Sequence, residues 1–165
     1  MKRMCARWAM LALTVGISLS ITTRMVSAEE LEGFDLGMTI AAADKVVEQN
    51  GLSKYYEDAS EKDKLRRSYE GTVLGMGGTL DLVFLEGKLI LVTAQLEGDS
   101  AEMQKHIDRK YAEVDAQHLK LHGDKTESVF PGMKDWVLPD RVITLYRDGS
   151  TKMFISVVSR GSQSQ

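Results

Sequence analysis

Apolar residues change their spacing along the chain, and each change marks an element. Ile40, Ala43, Val46 and Val47 recur at helical intervals behind Thr39, whose hydroxyl can cap a first turn, and Asn50-Gly51 closes the run. A helix over 40–49 is predicted, with one face that needs a core. Residues 57–67 are almost all charged or polar and read as a solvated turn of helix or a loop; helix and loop both stay open for 57–68. From 69 to 96 the pattern becomes Val73, Leu80, Leu82-Val83-Phe84-Leu85 and Leu89-Ile90-Leu91-Val92, broken by Gly75, Gly77-Gly78 and Glu86-Gly87. That is a β-meander of about three strands.

Gly98, Asp99 and Ser100 start a second helix, in which an Asp99 cap with Glu102 three residues on resembles a capping box. Met103, Ile107, Tyr111 and Val114 follow at spacings of four, four and three. A polar connector over 115–127 then leads to strand-like runs at 136–138, 142–146 and 153–158. The second half therefore repeats the helix-then-meander order. Tyr69-Glu70-Gly71 and Phe130-Pro131-Gly132 lie 61 residues apart, and the turns Glu86-Gly87 and Asp148-Gly149 lie 62 apart, which favours a degenerate internal repeat with units 34–97 and 98–160.

Helices alternating with antiparallel hairpins imply an α+β fold: two degenerate helix-plus-antiparallel-meander units, with the helices packed on one face of an antiparallel sheet. Leu89-Ile90-Leu91-Val92 lacks polar alternation, as expected of a central strand. One domain over 29–160 is expected, followed by a disordered tail over 161–165.

The first 28 residues belong to a different class. Lys2, Arg3 and Arg7 precede an apolar stretch from Trp8 to Ile21, and Val26-Ser27-Ala28 sets small residues at the cleavage-deciding positions, so 1–28 reads as a secretory signal peptide. Its apolar stretch is too short and too polar to span a bilayer comfortably, and no stable membrane insertion is expected after cleavage. Periplasmic or secreted localisation follows. Cys5, the only cysteine, precedes the apolar stretch, so the mature chain has no thiol for a disulfide or a metal.

Charge narrows the partners. The chain carries 21 Lys plus Arg against 24 Asp plus Glu, and loss of 1–28 removes four basic residues and no acidic one, leaving 17 against 24. An acidic body of this kind is a poor ligand for nucleic acid. A protein partner in the cell envelope is the expected one.

The opening Phe34-Asp35-Leu36-Gly37-Met38-Thr39, leading into the first helix, resembles the Leu-Gly-Met-Ser/Thr opening of the SmpA/OmlA (BamE) family of small envelope domains over 34–52. The tandem layout is similar to the β-lactamase-inhibitor-protein fold. The motif is a folding device: Gly37 permits a tight turn, Met38 can plug into the sheet and Thr39 caps the helix. This chain departs from that family's lipoproteins by lacking a cysteine at the cleavage site.

Candidate chemistry is sparse. Asp115, His118, His122 and Asp124 are the one metal-like set; two imidazoles and two carboxylates could hold Zn²⁺, although no Glu sits beside the first histidine as in a metalloprotease helix. The competing reading is a solvated connector with Leu119 and Leu121 pointing inward. Gly75-Met76-Gly77-Gly78 has neither dinucleotide nor P-loop spacing, and no serine sits in a Gly-x-Ser-x-Gly elbow. Tyr55, Tyr56 and Trp136 are candidates for an aromatic contact surface, with a core position as the alternative for Trp136. These readings converge on an exported, non-enzymatic binding or envelope-associated protein without a cofactor, acting through its sheet surface. A metal-binding protein using His118 and His122 and a small-ligand carrier with an apolar pocket are the alternatives.

Overall fold

The computed structural model describes residues 31–123, 126–127, 130–149 and 151–163. The signal peptide read over 1–28 and Asp124 lie outside the described residues. The elements run α1 (Ile40–Gln49), β1 (Ser53–Asp58), β2 (Lys64–Val73), β3 (Met76–Leu85), β4 (Lys88–Glu97), α2 (Ala101–His122), β5 (Thr126–Glu127), β6 (Met133–Val137), β7 (Arg141–Asp148), β8 (Lys152–Ser159) and a closing 3₁₀ turn, Arg160–Gln163.

Eight antiparallel strands make one sheet in the order β1-β2-β3-β4-β8-β7-β6-β5. Each half is thus one helix followed by four strands, and the halves meet where β4 pairs with β8, Leu96 facing Met153, Ala94 facing Ile155 and Val92 facing Val157. All six of these side chains are buried, so the seam is apolar on the helix side. In the Leu89–Val92 run, Leu89 and Val92 are buried while Ile90 and Leu91 are half-buried.

The entry segment is tied to β4. Gly37 N–H donates to the Leu89 carbonyl at 2.7 Å, and Leu89 N–H donates to that of Met38 at 2.9 Å. Thr39 has an extended backbone and its Oγ1 accepts from Ala42 N–H, which starts α1. At the other end Leu52 N–H reaches back to the Val47 carbonyl past Gly51 in the left-handed region. Ala43 and Val47 are the residues α1 buries.

Helix α2 departs from expectation at both ends. Its N-cap is Ser100, whose hydroxyl accepts from Met103 N–H at 3.1 Å, rather than Asp99. Gly98 is required just before it, because a Cβ there would lie 1.8 Å from Cγ of Met103. The helix then continues through the expected connector to His122, giving 22 residues. Ile107, Val114 and His118 are its buried positions, so His118 extends the apolar stripe in the place of a hydrophobic residue. Leu119 and Leu121, expected to point inward, are exposed.

Residues 57–68 are neither helix nor loop in the main: Glu57 and Asp58 end β1 and residues 64–68 begin β2. Charge does not prevent a strand here because it is paired. Arg67 binds Asp44 of α1 and Glu57 of β1, each at 2.7 Å. Of the two repeat offsets, the 62-residue one joins equivalent hairpins, β3–β4 and β7–β8; the first turn has Glu86 and Gly87 both at positive φ, the primed geometry that fits strand twist. The 61-residue one does not, since Tyr69-Glu70-Gly71 lies within β2 and Phe130-Pro131-Gly132 precedes β6. Residues 161–163, expected in a disordered tail, belong to the 3₁₀ turn.

Candidate functional site

Strand register sorts the sheet into two faces, since alternate side chains point oppositely. The helix side takes Tyr69, Val73, Leu80, Leu82, Phe84, Leu89, Val92, Ala94, Leu96, Ile143, Leu145, Met153, Ile155 and Val157 into one core with Ala43, Val47, Ile107 and Val114. The other set of alternate residues forms an open face.

Rows run across that open face, one residue per strand. Its middle row is Tyr56, Ser68, Asp81, Thr93, Ser156, Thr144 and Asp135, following the pairing from β1 to β6. Three neighbouring pairs in the row are hydrogen-bonded. The Ser68 hydroxyl donates to Asp81, Thr93 Oγ1 donates to Ser156 Oγ at 3.2 Å, and Thr144 Oγ1 donates to Asp135 at 2.7 Å. Arg66 pairs with Asp81 at 3.1 Å. On one side lies an aliphatic row, Val83, Leu91, Val158, Val142 and Val137. On the other lie Glu70, Thr79 and Gln95 in the first half and Phe154, Tyr146 and Met133 in the second, with Tyr146 and Phe154 stacked at 5.8 Å.

A shallow, open depression of about 260 Å³ sits at the polar end of this face, lined by Glu70, Gly77, Gly78, Thr79, Gln95 and Glu97. Of this face, the sequence singles out Tyr56 alone. The signal was present as alternation, for example Leu91-Thr93-Gln95 and Phe154-Ser156-Val158, but a cross-strand row exists only once pairing is known.

The residues singled out in sequence divide. Tyr55 and Tyr56 are exposed on the edge strand β1, with Tyr55 at a bulge between the Lys54 and Tyr56 pairings. Trp136 is 2% exposed and belongs to the core, so it presents no contact surface. Its ring lies 5.1 Å from that of His118, which stacks on His122 at 5.6 Å. The structure therefore brings His118, His122 and Trp136 together on the helix side. His118 Nδ1, His122 Nε2 and Trp136 Nε1 are buried and have no hydrogen-bond partner among the described residues.

Burial, with a smaller contribution from His122, pushes the His118 imidazole down to about 4 against a weak opposing pull from Asp115. It is neutral at pH 7. Asp115 is engaged by Lys134 at 2.5 Å. Among the described residues no three His, Cys, Asp or Glu side chains converge as a metal would need. Nor is any described helix long and apolar enough to cross a membrane. Between α2 and the sheet, Ile107 and Val114 are buried in the common core and His118 lies against Trp136.

No family model, no curated protein and no solved structure matches this chain.

Proposed function

We propose that this chain is an exported, non-enzymatic binding domain of the cell envelope, and that its working surface is the open face of the sheet. One observation carries the reading. A row of hydroxyls and carboxylates, hydrogen-bonded in three pairs, lies beside an unbroken aliphatic row on the face opposite both helices, an arrangement that adds nothing to the helix-side core. Mixed apolar and polar surface of this type suits protein recognition. Support for export comes from the basic start, apolar stretch and Val26-Ser27-Ala28 of the first 28 residues. The family resemblance over 34–52 supports an envelope setting.

The test is site-specific photocrosslinking in envelope extract, with the probe at Val158 on the open face or at Glu113 on the exposed side of α2. Adducts from Val158 alone, abolished by Val142→Arg in the same chain, are expected. Equal labelling from both positions, or none from Val158, overturns the reading. Export is checked separately by the mass of the mature N-terminus, which should begin at Glu29.

A further inference from the structure

Resting on the open face as the binding face, we infer that its occupant is a basic amphipathic helix lying across the strands, its apolar stripe on Val83, Leu91, Val158, Val142 and Val137. Two independent features select this chemistry, one electrostatic and one geometric.

The electrostatic feature is an excess of carboxylates. Asp58, Glu70, Asp81, Glu97, Asp135 and Asp148 belong to the open-face set, against Arg66 and Lys152 within it and Lys64 and Lys88 at the turn end. Most of this positive charge is already engaged: Arg66 by Asp81 at 3.1 Å, Lys152 by Glu97 at 2.9 Å and Lys64 by Glu61 at 2.8 Å. A second copy apposed by the same face would bring acid against acid. Anionic bilayers and nucleic acid would be repelled for the same reason. A cationic polypeptide is attracted, and Asp135, at the β6 end of the middle row, and Glu70, in the row beyond it, carry no ion pair among the described residues and are placed to meet its basic flank.

The geometric feature is spacing. The aliphatic row offers one side chain per strand, so its members recur about every 4.8 Å. A bound strand lying along the row would offer side chains on one face only about every 6.6–6.8 Å and fall out of step. A helix returns to the same face about every 5.4 Å, and its i, i+3, i+4, i+7 stripe stays close to the row over its five members. Those five span about 19 Å, which is about 13 helical residues. Phe154 and Tyr146 lie beyond the middle row in the second half and widen the apolar ground there.

The inference is tested by fluorescence anisotropy with three labelled 18-residue peptides of equal length: a helical Leu/Lys amphipath, its Leu/Glu counterpart, and a strictly alternating Leu/Lys strand former. The purified chain should bind the first, with affinity falling as salt rises. Val158→Arg should weaken it about tenfold, and the Glu70→Gln, Asp135→Asn pair should weaken it several-fold and flatten the salt dependence, with melting temperatures confirming that each variant is folded. Equal binding of the Leu/Glu peptide, or binding to anionic phosphatidylglycerol vesicles, overturns the charge argument. If the alternating peptide binds better and is lost in Val158→Arg, the helix is wrong while the binding face survives. If no peptide binds but Val158 still crosslinks in extract, the helix alone fails; if neither occurs, both readings fail together.

Discussion

In the first half of the molecule a ten-residue helix stands behind three ten-residue strands; in the second, a 22-residue helix stands behind strands of five and eight. The short helix buries only Ala43 and Val47, and the entry segment supplies Leu31 and Phe34 to finish that cover. The long helix reaches three turns further and finishes its own cover with His118 over Trp136. One plan is therefore closed by two devices, an added segment and an added length of helix. The first brings Leu31 and Phe34 into the core, whereas the second buries a titratable ring, so the halves should answer differently to mutation and to acid.

The largest effects should come from the big buried rings. Phe84→Ala in the first half and Trp136→Ala in the second are each expected to lower stability by about 3–5 kcal/mol through lost burial and a residual cavity. Urea unfolding with an unchanged m-value measures this, and a loss below about 1 kcal/mol from either would show that its half is held by something other than that ring.

Acid should separate the halves next. The unfolded chain takes up a proton at His118 near the ordinary value of 6.5, whereas the folded chain resists until about 4. Stability contributed by the neutral buried ring is therefore present above pH 6.5 and lost as pH falls from 6.5 to 4, by up to about 3 kcal/mol. His118→Leu, which keeps the position apolar, should flatten that part of the pH profile. An unchanged slope in the variant would assign the acid sensitivity elsewhere.

Smaller effects are expected at the helix starts. Ser100→Ala and Thr39→Ala each remove a cap and should cost about 1 kcal/mol. Hydrogen exchange should place the Ser100 loss in the first turn of α2 only, because the rest of that helix is held by Ile107, Val114 and His118. Fraying that spread through to His122 would show that packing, and not length, is the weak point of the second device.

Much of the first half was legible in sequence, because its signals are local. Thr39, the spacing of Ile40 to Val47 and Asn50-Gly51 delimit α1, and Gly75 and Glu86-Gly87 mark the turns between the long strands, whereas Gly77-Gly78, read as a break, lies inside β3. The strand character of residues 53–58 and 64–67 was hidden by charges whose partners are distant in sequence: Arg67 is 23 residues from Asp44. In the second half, the end of α2 was hidden because its inward residue is a histidine while the leucines on either side of Lys120 face solvent. The open-face rows were out of reach for a third reason. Thr93 and Ser156 are 63 residues apart, and nothing in either neighbourhood announces that they touch.

The central seam carries a consequence for biogenesis. A chain made N-terminus first completes β4 well before β8 exists, so Leu91, Val92, Thr93 and Ala94 wait with one backbone edge unsatisfied. Such an edge is a template for any passing strand. Nascent first halves should therefore be the aggregation-prone species, and a chaperone that shields this edge until Val157 and Val158 arrive would raise the yield of folded protein more than any aid given afterwards.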